Sequence, residues 1–150
     1  MKPYQRKVQY YETDMMGIAH HANYIRWMEE ARIDFMEQLG YPYADMEKGG
    51  IYSPVRSLAC DYRKPCTFND ELSITVSISA FTGARLMLRY EIKKGDELIC
   101  EARSEHAFVD KVGRVIRLPR AVPALAQKIE LLREHVDAAA EAPEKKGEKE

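Results

Sequence analysis

The second half of the chain is built from segments in which apolar and polar residues alternate with period two. Residues 72–80 put Leu72, Ile74, Val76, Ile78 and Ala80 on one side and Ser73, Thr75, Ser77 and Ser79 on the other. Residues 86–93 repeat this with Leu86, Leu88, Tyr90 and Ile92. Residues 97–109 set Leu98, Cys100, Ala102 and Phe108 against Glu101, Arg103 and Glu105. Successive side chains of a strand point to opposite faces, so each segment reads as a strand with one buried face. Thr82-Gly83-Ala84 and Gly95-Asp96 fall between them, where hairpin turns belong. Residues 55–63, with Leu58, Cys60 and Tyr62 on one face, predict another strand. So do residues 4–11, with Val8 and Tyr10 on one face. A short last strand is expected around Val115, after a turn at Val112-Gly113.

Such a sheet needs a cover for its apolar face. Tyr24, Trp27, Met28, Ala31, Phe35 and Leu39 recur at helical spacing, and Ile25, Ile33 and Met36 widen the stripe. The helix is therefore expected to be buried over more than half its circumference. Its outer face should carry Arg26, Glu29, Glu30, Arg32, Asp34 and Glu37, with Arg26 and Glu30 spaced to pair. Asn23 is the expected N-cap, Gly40 suits the position after the helix, and Pro42 comes next. Beyond Pro119 and Pro123, the spacing of Leu125, Ile129, Leu132 and Val136 predicts a terminal helix. Residues 138–150, Ala-rich and then Glu/Lys/Gly, read as a disordered charged tail. That leaves one domain over residues 1–137. The pattern itself predicts an α+β fold: a strand, a long helix, then four or five antiparallel strands.

Charge excludes one broad class. The 150 residues carry 23 basic and 24 acidic side chains, for a net charge of −1. A dedicated nucleic-acid binder usually shows a basic excess. The start of the chain lacks the apolar stretch of a secretory signal, and no apolar run has the length of a membrane span. Cys60, Cys66 and Cys100 are odd in number and form no Cys-x-x-Cys. Reduced thiols and a cytoplasmic location are expected.

Chemistry concentrates at Tyr10-Tyr11-Glu12-Thr13-Asp14-Met15-Met16-Gly17-Ile18-Ala19-His20-His21-Ala22-Asn23-Tyr24. This stretch places a carboxylate, a flexible glycine and a helix start within eleven residues. A helix N-terminus offers unpaired N–H groups and a positive dipole end. Those groups can hold a developing oxyanion while a carboxylate attacks or activates water. As an ordinary turn residue, Asp14 would merely cap backbone. Glu12, Asp14, His20 and His21 are metal-ligand types, but there is no His-x-x-x-His on one helix face and no cysteine cluster. No metal and no separate cofactor is expected.

The spacing Asp14, Gly17, His21, Asn23, Tyr24 resembles the signature of the hotdog-fold acyl-CoA thioesterases, in particular the 4-hydroxybenzoyl-CoA thioesterase/YbgC-like family. The resemblance covers about residues 4 to 120. It implies a curved antiparallel sheet wrapped around one central helix, with the terminal helix added. It also implies hydrolysis of an acyl-CoA or acyl-carrier-protein thioester. Asp14 would be nucleophile or general base, and the His21 N–H would be the oxyanion donor. The His21 side chain is a second catalytic candidate. His20 is expected to pack or face solvent, turned away from His21. Gly17, Asn23 and Tyr24 would shape the substrate site, with Gly17 letting the loop approach the thioester. Coenzyme A would enter as part of the substrate, and its phosphates call for a basic rim. Arg56, Arg63 and Arg85, with Lys64, are the candidates, although each alone is an ordinary surface charge. Relatives often carry several basic residues at the hairpin near 81–85, where this chain has only Arg85. The family implies a homodimer or homotetramer with the site at a subunit interface. A hotdog dehydratase is disfavoured, because Asp14 is not followed by that group's Pro and His. A non-catalytic acyl-CoA-binding module is the alternative from another class.

Overall fold

The computed structural model describes the backbone of residues 1–140 and the side chains of residues 1–133. The elements are β1 (Tyr4–Lys7), a 3-10 turn (Tyr10–Glu12), α1 (His21–Gln38), α2 (Tyr43–Lys48), β2 (Val55–Tyr62), β3 (Glu71–Phe81), β4 (Arg85–Lys94), β5 (Glu97–Ala107), α3 (Leu118–Ala121) and α4 (Pro123–Ala140). Five antiparallel strands form one sheet in the order β1-β3-β4-β5-β2. Helix α1 lies on its apolar face. Trp27, Met28, Ala31 and Phe35 join Leu72, Ile74, Ile78, Leu88, Tyr90 and Ile92 in one buried cluster, to which α4 adds Leu125 and Ile129. This is the hotdog arrangement of an α+β fold.

The three alternating segments and their hairpins form as expected. Two bulges shift the alternation. Ile78 pairs with Leu88 but Ala80 with Met87, so Ser79 is extra and Phe81 turns into the core. Ile92 pairs with Cys100 but Lys93 with Leu98, so Ile99 is extra and buried. An inserted residue flips the facing of the strand residues beyond it.

Helix α1 ends as Gly40 and its neighbours dictate. The Gly40 N–H donates to Glu37 O at 2.9 Å and the Tyr41 N–H to Met36 O at 3.0 Å. This paired closure needs a left-handed residue, and Gly40 has φ +83°. The short helix α2 then begins after Pro42, where no apolar period signals it.

Several expectations are corrected. The first strand stops at Lys7. Val8 is buried, but the chain then coils into the 3-10 turn and leaves Tyr10 exposed. The N-cap of α1 is His20, whose Nδ1 accepts from the Ala22 N–H at 3.1 Å, and not Asn23. Ile25 and Ile33 are exposed, whereas Arg32 is buried. Glu30 pairs with Arg6 at 2.9 Å, across to β1, rather than with Arg26. Around Val115 there is an isolated bridge to Val109 in place of a strand. The tail expected at 138–150 begins inside α4, and its residues 141–150 lie outside the described residues. No helix among the described residues is long and apolar enough to cross a membrane.

Candidate active site

The site is built on Glu12. This carboxylate is 4% exposed. Oε1 accepts from Arg6 Nη1 and from the Gln9 N–H at 2.8 Å, and Oε2 accepts from Trp27 Nε1 at 2.7 Å. Burial alone would push its pKa up. The donors from Arg6, Gln9 and Trp27 outweigh this and hold it below the ordinary glutamate value. Arg6 in turn bonds Glu30 and lies over the Trp27 ring at 5.1 Å. The Glu12 carbonyl accepts from the His20 N–H and from Asn23 Nδ2, both at 2.8 Å. One residue therefore ties β1, the 3-10 turn and the start of α1 together.

From that anchor the chain makes a tight turn. Thr13 bridges to Ala19, the Asp14 N–H donates to Ile18 O at 2.9 Å, and the Gly17 N–H donates to Asp14 O at 2.9 Å. Gly17 has φ +76°, which a side chain resists. A Cβ there would meet nothing within 4 Å, so the glycine is required by backbone shape and not by crowding within the chain. Thr67 Oγ1 donates to the Gly17 carbonyl at 2.7 Å and pins the turn from outside.

Asp14 is half-buried within this turn. Oδ1 accepts from the Met16 N–H at 2.8 Å. Oδ2 has no hydrogen-bond partner among the described residues. Met15 and Met16 beside it are exposed, as are Tyr10, Tyr11 and Phe68. The loop tip is therefore strongly apolar around one partly free carboxylate.

His21 is the first residue of α1, and its N–H has no acceptor among the described residues. Its carbonyl accepts from Tyr62 Oη at 2.8 Å. Against the expectation that His20 and His21 face apart, their rings stack with centroids 4.1 Å apart. The reason is that His20 is the extended N-cap (ψ 137°) and not a helical residue. Tyr62 is a site residue that sequence reasoning misses. It stands at the end of β2 with its ring edge-on to Tyr24 at 4.9 Å. Its only sequence signal is its parity with Leu58 and Cys60.

Asn23 and Tyr24 are drawn to the scaffold. Asn23 ties α1 to the Glu12 carbonyl. Tyr24 is 3% exposed, its hydroxyl 3.3 Å from Cys66 Sγ, and burial pushes its pKa strongly up. It fills core beside Trp27 rather than lining an open surface.

The three arginines are not brought together. Arg63 lies opposite Ile99 on β5, its N–H on the Ile99 carbonyl, while Arg85 lies opposite Ala107. Eight strand residues separate these points, roughly 26 Å. Arg56 sits in the bulge between Val55 and Ser57, at the Arg85 end. Only Arg63 and Lys64 adjoin Tyr62. Arg63 is ion-paired with Glu101, Lys64 with Glu97 at 3.5 Å, and Arg85 with Glu105 at 3.2 Å. Among the described residues no group of three or more His, Cys, Asp or Glu side chains is placed to hold a metal ion.

The arrangement thus offers a carboxylate oxygen, a helix-end N–H donor and an apolar rim. Known proteins resemble the chain that builds it. The family model described as the thioesterase-like superfamily matches residues 8–144. A Bacillus subtilis protein provisionally named acyl-CoA thioesterase YneP is 38% identical over 119 residues, covering 78% of this chain and 86% of the relative. The acyl-CoA thioesterase YbgC of Haemophilus influenzae is 26% identical over 121 residues, covering 79% and 88%. The crystal structure of a DHNA-CoA thioesterase from Staphylococcus aureus superposes with a TM-score of 0.84 at 31% identity, covering 90% of this chain and 94% of that one. With a family match over nearly its whole length, this chain belongs to the thioesterase-like superfamily.

Proposed function

We propose that the protein is an acyl-CoA thioesterase that hydrolyses an acyl-CoA, or acyl-carrier-protein, thioester to the free acid and thiol. One observation carries the reading: the acceptorless His21 N–H stands at the N-terminus of α1, joined by a short turn to the partly free Asp14 carboxylate. A thioester carbonyl bound at the His21 N–H would have its developing negative charge met by that donor and by the helix dipole. Asp14 then acts in one of two balanced ways. It attacks the carbonyl carbon, the C–S bond breaks, the departing thiolate takes a proton from solvent, and water opens the resulting anhydride, freeing the acid and returning that proton. Alternatively it takes a proton from water, which attacks while the thiol departs. Sulfur donates weakly into the carbonyl, so neither route needs a Lewis acid. The His21 ring, exposed beside the donor, is placed to orient water or substrate.

The phosphate end of coenzyme A is assigned to Arg63 and Lys64, which adjoin Tyr62 at the site end of the sheet. Arg56 and Arg85 serve it only across a subunit boundary. An oligomer is part of this proposal. Strand β2 is an eight-residue edge strand whose Val55, Leu58 and Tyr62 are exposed, and an unprotected apolar edge calls for a partner. A homodimer or homotetramer joined along β2 supplies it. A monomer by light scattering at micromolar concentration overturns the oligomer. The three free cysteines suit a reducing compartment such as the cytoplasm.

The deciding experiment is thiol release from short, medium, long and benzoyl acyl-CoA substrates, with wild type beside Asp14→Asn. Turnover by wild type that falls about 10³-fold in the near-isosteric variant supports the reading. Full activity in Asp14→Asn moves catalysis elsewhere. Binding of acyl-CoA with no turnover of any thioester, carrier-protein thioesters included, favours a binding module.

A further inference from the structure

Residues 66–70 lead from β2 into β3 and carry no group that the proposed hydrolysis uses, yet they grip the turn that holds Asp14. The Ala19 N–H donates to Cys66 O at 2.8 Å, and Ile18 bridges to Thr67. These contacts hold the limb of the turn that returns to α1. The tip, residues 14–17, bonds to itself. The Met16 N–H donates to Asp14 Oδ1 at 2.8 Å and the Gly17 N–H to Asp14 O at 2.9 Å. Such bonds fix the shape of the tip but not its place in the molecule. The Thr67 hydroxyl supplies the place, donating from Oγ1 to the Gly17 carbonyl at 2.7 Å. A carbonyl only accepts, so the direction of this bond is settled.

Thr67 is itself braced. Its N–H donates to Asp70 Oδ2 at 2.8 Å, and the Asp70 N–H donates back to Thr67 O at 3.1 Å. Asn69 closes this small turn at φ +70°, a left-handed backbone that asparagine takes more readily than most residues. Asp70 Oδ1 meets Lys94 Nζ at 3.1 Å, at the end of β4. The Val8 N–H donates to Asp70 O at 2.9 Å and the Asn69 N–H to Val8 O at 3.0 Å, just past β1. Both Asp70 oxygens are thus spent on the brace, and Thr67 stands on the ends of β1, β3 and β4. Branching at Cβ restricts the threonine rotamer, so Oγ1 is held in direction as well as in place.

We propose that Thr67 is a positioning residue of the site: through the Gly17 carbonyl it holds the Asp14 carboxylate in register with the His21 N–H. This rests on the hydrolytic reading. A carboxylate that attacks, or that draws a proton from water, has to stand close to its target, and a displacement of about 1 Å can cost up to about 10²-fold. Water can take the place of the hydroxyl on the Gly17 carbonyl. It is not attached to the sheet, so the tip would keep a hydrogen bond and lose its place. Thr67 acts on the reacting group and not on the substrate. Its loss should therefore lower kcat and leave KM, set by the apolar rim and by Arg63 and Lys64, nearly unchanged.

Steady-state thiol release by the full chain tests this, on the thioester that wild type turns over fastest. Wild type and Asp14→Asn are measured beside Thr67→Val, which keeps the shape and lacks the hydroxyl, and Thr67→Ser, which keeps the hydroxyl. Thr67 is exposed, so the fold accommodates both changes. The expected result for Thr67→Val is a kcat about tenfold below wild type with KM within about twofold. Its melting temperature should fall by no more than about 4 °C, as for one lost hydrogen bond, which leaves it folded in the assay. Thr67→Ser should recover kcat to within about threefold of wild type. Undiminished kcat in Thr67→Val overturns the proposal and leaves Thr67 a clamp for stability alone. An equal loss in Thr67→Ser, or a raised KM at unchanged kcat, overturns it too. An inactive wild type, or full activity in Asp14→Asn, sinks the hydrolytic reading and this proposal with it, so Asp14→Asn tells the two failures apart.

Discussion

Glu12 and Asp14 are carboxylates one residue apart, and the fold uses them in opposite ways. Glu12 is enclosed, with three donors on its two oxygens. Asp14 is half-buried in a turn, with one backbone donor on Oδ1. A carboxylate saturated with donors is a stable anion and a poor nucleophile. One with an oxygen to spare can attack or take a proton. The rigid member braces the turn that carries the freer one, because the Glu12 carbonyl holds both the His20 N–H and the Asn23 side chain.

The largest expected contrast is in what each loses on amidation. Asp14→Asn should cost about 10³-fold in kcat/KM with the melting temperature held within about 2 °C, since its carboxylate makes one internal bond. Glu12→Gln should do the reverse. It leaves the half-buried Arg6 with a weakened partner, for about 3 kcal/mol of lost stability by denaturant unfolding. The folded fraction should keep most of its turnover. A Glu12→Gln protein as stable as wild type but inactive would break the division of labour.

The same contrast has a pH form. The Glu12 pKa is lower in the folded chain than the ordinary value of 4.5. The stabilisation it contributes is therefore complete above pH 4.5 and is lost as pH falls through the folded value. As pH falls below about 5, wild type should lose stability faster than Glu12→Gln does. Parallel curves of melting temperature against pH for the two would show that the anion contributes nothing.

Tyr62 sharpens the boundary between holding and reacting. Its hydroxyl bonds the carbonyl of the residue whose N–H is the proposed oxyanion donor. Tyr62→Phe should cost about 1 kcal/mol in unfolding free energy. Turnover should fall by less than about tenfold, with KM moving more than kcat if the helix end loosens before substrate binds.

The features legible in the sequence are those whose signals are local. The hairpins, the α1 period, Gly40 and the Asp14–Gly17 spacing are set by neighbours in sequence and read directly. Arg32 shows the limit. Trp27, Met28, Ala31, Arg32, Phe35 and Met36 form an unbroken two-wide helical stripe, so its position is that of a core residue. Its chemistry points outward, and the Tyr90 hydroxyl that accepts from it comes from a distant strand. Ile25 and Ile33 err the other way, since apolarity alone does not say which side of a helix meets the sheet. Glu12 shows in the sequence only as one of four metal-ligand types, because Arg6 and Trp27 converge on it only after β1 has docked beside α1. The cap lies at His20 rather than Asn23, because an imidazole can serve as a cap when its Nδ1 accepts.

The smallest effect concerns the turn that carries Asp14. Gly17 has φ +76° and open space where a Cβ would stand. Gly83 has φ +89°, but a Cβ there would meet Pro119 Cδ at 3.3 Å and Arg117 Nη2 at 3.2 Å. Gly17→Ala should therefore cost only the backbone term, about 1 kcal/mol. Gly83→Ala should cost more, because a proline ring must also shift. Gly17→Asn, a side chain that tolerates left-handed backbone, should cost roughly a few tenths of a kcal/mol. If the turn is held purely by backbone shape, Gly17→Asn keeps wild-type turnover. If a thioester has to pass over the glycine, Gly17→Asn raises KM while leaving stability intact, and thermal unfolding beside steady-state kinetics separates the two.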